Sequence, residues 1–177
     1  MLERYKYTDS EVKTILDNMV ILVDTREKKN AHITQYFDKH HIVYENRALQ
    51  CGDYSFYIKA IPELSINRDL YMDKDIFIER KGSLEEVSGN FTTGRSRIEE
   101  EFASFPDAKK YLLIENANYA DIVDENYSTQ YGKKAFLGTI HSFNHKYNLQ
   151  IFFMPDNKYT PIYILGVFQY YLKHLLK

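Results

Sequence analysis

Two rhythms of apolar and polar positions alternate along this chain, and their order predicts its elements. From Thr8 to Asn18 the apolar residues Val12, Ile15 and Leu16 share one helical face behind Thr8 or Asp9 as a cap, which predicts a short amphipathic helix. It reads as an extension over residues 1–18, ahead of a domain spanning 19–177. Met19 to Asp24 (MVILVD) is an unbroken apolar run closed by charge, the pattern of a strand covered on both faces. Ile33, Tyr36, Phe37 and His40 recur at helical spacing, and strand-like alternation returns in IVYENRALQ and GDYSFYI. Lys59 to Lys74, with Pro62, Asn67 and Asp73, reads as a turn or hairpin. Beyond it, DIFIERK, KKYLLIEN and LQIFFMPD predict strands. SLEEVSG, the second half of NFTTGRSRIEEEFASF, and KKAFLGTIHSFNHKY predict helices between them. A closing helix starts with Thr160 as cap and Pro161 at its first position. Strands alternating with helices imply an α/β sandwich with a mixed, largely parallel sheet.

Composition narrows the class. At 177 residues, 44% hydrophobic and 27% charged, the chain is of ordinary globular make-up and one-domain size. No apolar run is long enough to cross a bilayer and MLERYKYTDSE carries no secretory signal, so the expectation is a cytoplasmic protein without membrane contact. The single cysteine, Cys51, excludes an internal disulfide and a cysteine-cage zinc site. A net charge of -2 does not by itself advertise a nucleic-acid binder, although basic doublets occur, among them Lys28-Lys29 and Lys133-Lys134. No glycine-rich loop follows the first strand, which argues against a dinucleotide-binding enzyme.

Three apolar strands are interrupted by acids: Asp24 after Val23, Asp53 after Gly52 and Glu79 after Ile78, with Lys81 two residues on. The period of two puts Glu79 and Lys81 on one face and Arg80 on the other. Magnesium takes one or two carboxylates plus water and phosphate oxygens, so Asp53 and Glu79 converging from neighbouring strands suffice to hold it. An ammonium beside them orients water and offsets charge at phosphorus. Each piece also has a plain structural reading: a turn at Gly-Asp, a helix cap at Asp24, a solvated edge at Glu-Arg-Lys. The six histidines form no defensible ligand set, although His141 and His145 stand four apart on a predicted helix.

The combination Gly52-Asp53 with Glu79-Arg80-Lys81, preceded by LVDTRE (Leu22 to Glu27), resembles the XPF family of DNA endonucleases. GRSRIEEEF (Gly94 to Phe102) is similar to that family's glycine-arginine helix, and KKYLLIEN and LQIFFMPD to its later strands. The resemblance runs from about Val20 to Lys177. It implies a three-layer restriction-endonuclease-like sandwich with a mixed central sheet flanked by helices, and a magnesium-dependent DNA endonuclease in which manganese substitutes. Asp53, Glu79 and Asp24 would be metal ligands and Lys81 the water-orienting cation. Arg26, Glu27, Arg80, Arg95 and Arg97 would support the site or bind DNA. Glu85 stands where the family pattern has an Asp four positions after the lysine, and its extra methylene favours a pairing role over ligation.

The implied substrates are branched DNA or junctions of single and double strands, met in repair, recombination or replication. No counterpart of the tandem helix-hairpin-helix module of many relatives is present in the 177 residues. Frequent Lys, Asn, Ile and Tyr suggest a bacterial, phage or mobile-element source. The rival reading within the same fold is an inactive DNA-binding or scaffold subunit. The closing helix is apolar around more of its circumference than one core-facing stripe needs, which predicts a homodimer interface over Thr160 to Leu176. The alternative cover for it is the N-terminal helix.

Overall fold

The computed structural model describes Leu2 and residues 6–177; residues 1 and 3–5 of the N-terminal extension lie outside the described residues. A six-strand path runs in the order β2-β1-β3-β5-β6-β7, and a seventh, β4, pairs with β3 beside it. The strands are β1 (Met19–Val23), β2 (Tyr44–Asn46), β3 (Tyr54–Ile58), β4 (Leu70–Tyr71), β5 (Ile76–Lys81), β6 (Lys109–Glu115) and β7 (Leu149–Met154). β1 with β2, β5 with β6 and β6 with β7 are parallel, while β3 is antiparallel to β1, β4 and β5. The sheet is therefore mixed, with its antiparallel pairs all made by β3.

Helices cover both faces, giving three layers. On one side α1 (Asp9–Asp17), α2 (Ala31–Lys39) and α7 (Thr160–Leu176) pack Val12, Ile15, Ile33, Phe37, Ile164 and Phe168 against Ile21, Phe56, Ile76, Ile78 and Leu113. On the other, α3 (Leu84–Phe91), α4 (Arg95–Ala103), α5 (Tyr119–Val123) and α6 (Lys133–Tyr147) pack Phe91, Phe102, Ile122, Phe136 and Phe143 against Phe77, Leu112 and Ile114. Neighbouring strand residues thus serve opposite cores, as the pleat requires. That alternation fixes where the charged end of β5 must point.

Local chemistry explains the ends of several elements. Thr8 accepts from the Glu11 amide while the Glu11 carboxylate takes the Thr8 N–H, a reciprocal cap for α1. The closing helix departs from expectation: Tyr159 occupies the cap position without a side-chain bond, and Thr160 is the first helical residue. The Thr160 hydroxyl is buried and has no hydrogen-bond partner among the described residues. Only Tyr44–Asn46 of the IVYENRALQ segment forms a strand; after the Arg47 N–H donates to Val23 O at 2.9 Å the chain leaves β1, and the Leu49 N–H donates to the Asp24 carboxylate. On α7 the buried residues Ile164, Phe168, Leu172 and Leu176 recur every fourth position, and the same core includes Val12 and Ile15 of α1. No helix among the described residues is long and apolar enough to cross a membrane.

Candidate active site

The cleft lies where β3 begins and β5 ends: Asp53 immediately precedes β3 and Glu79 lies within β5. Asp53 is fixed by its backbone: its N–H donates to Ile78 O at 2.8 Å and its carbonyl accepts the Asp24 N–H at 2.8 Å. Its side chain then takes the Arg80 backbone N–H on Oδ2 at 2.7 Å, which leaves Oδ1 for the cleft. Gly52 is required for this turn on two counts. Its φ is +72°, and an added Cβ would stand 2.7 Å from Cδ2 of Phe77 and 3.1 Å from Ile78 O.

Ile76 and Ile78 face the α2/α7 core while Phe77 faces the opposite one, so the next residues inherit that alternation. Glu79 and Lys81 follow Phe77, and the Lys81 ammonium donates to Glu79 Oε1. Arg80 follows Ile78 to the other side. There Nη1 donates to Glu115 at 2.6 Å, Nε and Nη2 reach Glu27, and Nη2 also reaches Lys29 O at 3.1 Å. Glu115 closes β6 in the same way that Glu79 interrupts β5, and its second oxygen meets His32 of α2 at 2.8 Å. The exit of β5 is held by Asn116, which donates to Gly82 O at 3.0 Å.

The two sides differ in how their acids are paired. Burial first, and partly the charges of Glu27 and Glu101, push Asp53 up to about 7 against the opposing pull of Lys81. Burial and then the neighbouring Asp53 charge drive Glu79 well above the usual carboxylate range. Burial works to lower the Lys81 pKa, but the Glu79 and Asp53 carboxylates outweigh it and the ammonium is retained. Two buried carboxylates that repel one another beside a single lysine fit a hard divalent cation, which takes one or two carboxylates and completes its shell with water. Among the described residues no group of three or more His, Cys, Asp or Glu is arranged to hold a metal ion, so the fit rests on this pair.

The structure separates the remaining candidates. Asp24 is buried behind the cleft, where Arg26 clamps it at 2.9 and 2.7 Å and the amides of Arg26 and Leu49 complete its bonding. Burial alone would raise its pKa, but these donors hold it below the ordinary value. Glu85 accepts from the amide and hydroxyl of Ser128, tying α3 to the segment before α6. The acid of α3 that lines the cleft is Glu86, which takes the Gly82 N–H at 2.9 Å. Arg95 pairs with Glu99 at 2.8 Å and lies over the Phe143 ring, whereas Arg97 lines the cleft.

Two acids were not singled out by sequence reasoning. Glu101 of α4 lines the cleft and accepts the Gly52 N–H at 2.7 Å, bracing the turn that presents Asp53. Its signal was its place beside buried Phe102 and three residues after buried Ile98, at the border of the apolar stripe. Glu115 carried the same strand-end signal as Asp24 and Glu79.

A mixed sheet with two carboxylates and a lysine at the meeting of two strand ends defines an acid-and-ammonium cleft. The ERCC4 domain family model matches residues 23–165, and the chain belongs to that family. Two solved structures share the fold. XPF from Aeropyrum pernix matches with a TM-score of 0.58 at 15% identity, over 86% of this chain and 61% of that one. XPF from Aeropyrum pernix in complex with DNA matches with a TM-score of 0.61 at 15% identity, over 88% of this chain and 66% of that one. The chain thus spans less than two thirds of the length of either. No curated protein matches it. The XPF-family resemblance and the three-layer fold expected from the motifs are borne out.

Proposed function

We propose that the chain is a divalent-metal-dependent endodeoxyribonuclease that hydrolyses phosphodiester bonds, with structure-specific action on branched DNA or single-strand/double-strand junctions. One observation carries this reading. Asp53 and Glu79 line one cleft with Lys81, whose ammonium donates to Glu79 and acts electrostatically on Asp53, and the repulsion between the two acids is left for a cation to relieve. Bound there, magnesium or manganese would supply Lewis acidity toward a phosphate oxygen and lower the pKa of water. Asp53 Oδ1 and the Glu79 carboxylate are the donors that would hold it. Lys81, kept charged and oriented by Glu79, aligns the attacking water and offsets negative charge growing on the phosphoryl oxygens. Glu101 and the Arg80 amide hold Asp53 in place.

DNA as substrate is supported by family membership and by the solved relative described as a complex with DNA. A homodimer is supported by the outer face of α7 and edge strand β7, where Tyr170 (65% exposed), Ile162 (49%) and Phe152 (39%) stand in solvent and Phe152 stacks on Tyr163. The setting we assign is repair, recombination or replication in the cytoplasm of a bacterium, or of a phage or mobile element within one.

The test is cleavage of end-labelled branched, single-stranded and duplex DNA with magnesium. The wild-type chain should cut, and Asp53→Asn and Glu79→Gln should lose at least about 100-fold in rate while still binding DNA. Full activity in either variant overturns the site. A wild-type chain that binds DNA and never cuts supports the scaffold reading instead.

A further inference from the structure

The cleft, of about 270 Å³, is lined by acids that would repel the polyanion assigned to it. Glu27, Asp53, Glu79, Glu86 and Glu101 all border it. Among its cations, Arg26 is committed to Asp24, Arg80 to Glu27 and Glu115, and Lys81 to Glu79. Three remain: Lys28, Lys29 and Arg97 line the same cleft, are exposed, and make no side-chain hydrogen bond or ion pair with any described residue.

Their backbones, in contrast, are held. The Lys29 N–H donates to Glu27 Oε1 at 2.9 Å, its carbonyl accepts from Arg80 Nη2, and the Glu27 N–H donates to Asp24 O at 3.0 Å. The buried Arg80 network therefore pins the segment between β1 and α2 while leaving both lysine side chains unspent. Arg97 comes from α4, the helix that braces Gly52 through Glu101. Fixed backbones carrying unpaired cations beside an acidic floor are what a phosphate-binding rim needs.

We propose that Lys28, Lys29 and Arg97 form a subsite for DNA backbone phosphates flanking the one that enters the Asp53-Glu79 floor, an assignment that rests on the nuclease reading above. The subsite engages phosphate oxygens and no base edges, so it is indifferent to sequence. It also makes affinity depend on the strand continuing past the reacting phosphodiester.

The test is binding of a labelled 20-nucleotide single strand and a forked duplex by fluorescence anisotropy in EDTA, across about 50 to 200 mM salt. The probe protein is the full chain, and the variant is Lys28→Ala/Lys29→Ala/Arg97→Ala. Each lost phosphate contact should flatten the plot of log affinity against log salt by about 0.7 to 0.9, so the triple variant should lose a slope of about 2 to 3 and bind at least about tenfold more weakly. A control removing exposed lysines elsewhere, Lys39→Ala/Lys134→Ala, should change neither. Circular dichroism checks that the variants are folded. Unchanged slope and affinity in the triple variant, with a wild-type chain that cleaves DNA, overturn the subsite and leave the nuclease reading standing. A flattened slope in a chain that never cleaves upholds the cation rim as a DNA contact and overturns the nuclease reading on which its placement rests. Calorimetric titration with inorganic pyrophosphate separates sources: no measurable binding at millimolar concentration is expected, and binding abolished in the triple variant overturns the DNA assignment in favour of a free polyphosphate.

Discussion

The two faces of β5 carry charge in opposite ways. Toward α2, Arg80 meets Glu27 and Glu115, with His32 beyond, and its guanidinium donates to three separate acceptors. Toward α4, Asp53 and Glu79 share one lysine and repel each other. The first is a closed network whose members satisfy one another, and it fixes the local backbone. The second is an open one, in which Asp53 is bonded through Oδ2 to the Arg80 amide and its Oδ1 accepts no hydrogen bond from a described residue. Both sides set two acids against one cation, and what tells them apart is pairing: Arg80 donates to both of its acids, whereas Lys81 donates to Glu79 alone.

Breaking the closed side should have the largest effect on stability. Arg80→Ala leaves Glu27 and Glu115 buried without their cation, and removing one partner of a buried pair typically costs about 3 to 5 kcal/mol. Urea denaturation followed by circular dichroism measures it. A loss below about 1 kcal/mol would mean that the network is solvated and the contrast between the faces is false.

The open side should answer with activity instead. Lys81→Met should reduce the single-turnover cleavage rate at saturating DNA on the order of 100-fold while shifting the urea midpoint much less than Arg80→Ala does. If DNA affinity falls and the saturated rate does not, Lys81 serves as a phosphate anchor only.

A smaller effect sharpens the comparison through pH. Asp53 rises from an ordinary value of 3.8 to about 7 on folding, so between these values the folded chain holds a proton that the unfolded chain has released. Its contribution is fully present below about 4 and lost as pH rises through about 7; Glu79, also raised, acts in the same direction. In metal-free buffer the stability of the wild type relative to Asp53→Asn should therefore fall across this window, read from thermal midpoints. A relative stability that rises with pH would show that Asp53 is held ionised by its neighbours.

The smallest expected change comes from Glu101→Gln, which keeps an acceptor for the Gly52 N–H, whereas Glu101→Ala leaves that amide unsatisfied at about 1 to 3 kcal/mol. Equal losses in both variants would move the role of Glu101 from bracing the turn to its charge.

Much of this was legible because a strand's pleat is a local rule. Once DIFIERK is a strand, Glu79 and Lys81 must share a face and Arg80 must leave it, and the structure has them so. The same reasoning could not say that Asp24 would be clamped by Arg26 and the Leu49 amide, because that bond joins positions 25 residues apart. Nor could it choose between Glu85 and Glu86, or find Glu101. Which acid of a helix reaches a cleft depends on how the helix is rotated against the sheet, a matter settled by the packing of Leu84, Val87, Ile98 and Phe102. At Thr160 the helix began one residue earlier than the cap rule places it, and the hydroxyl is buried.

The central claim, that Asp53 and Glu79 hold a divalent cation, is tested most directly by manganese anomalous scattering from crystals of the wild type and of Glu79→Gln soaked at neutral pH. The account predicts an anomalous peak within about 2.3 Å of both an Asp53 and a Glu79 oxygen in the wild type and its loss in the variant. A wild-type crystal without that peak, or a peak that survives Glu79→Gln unchanged, would contradict it.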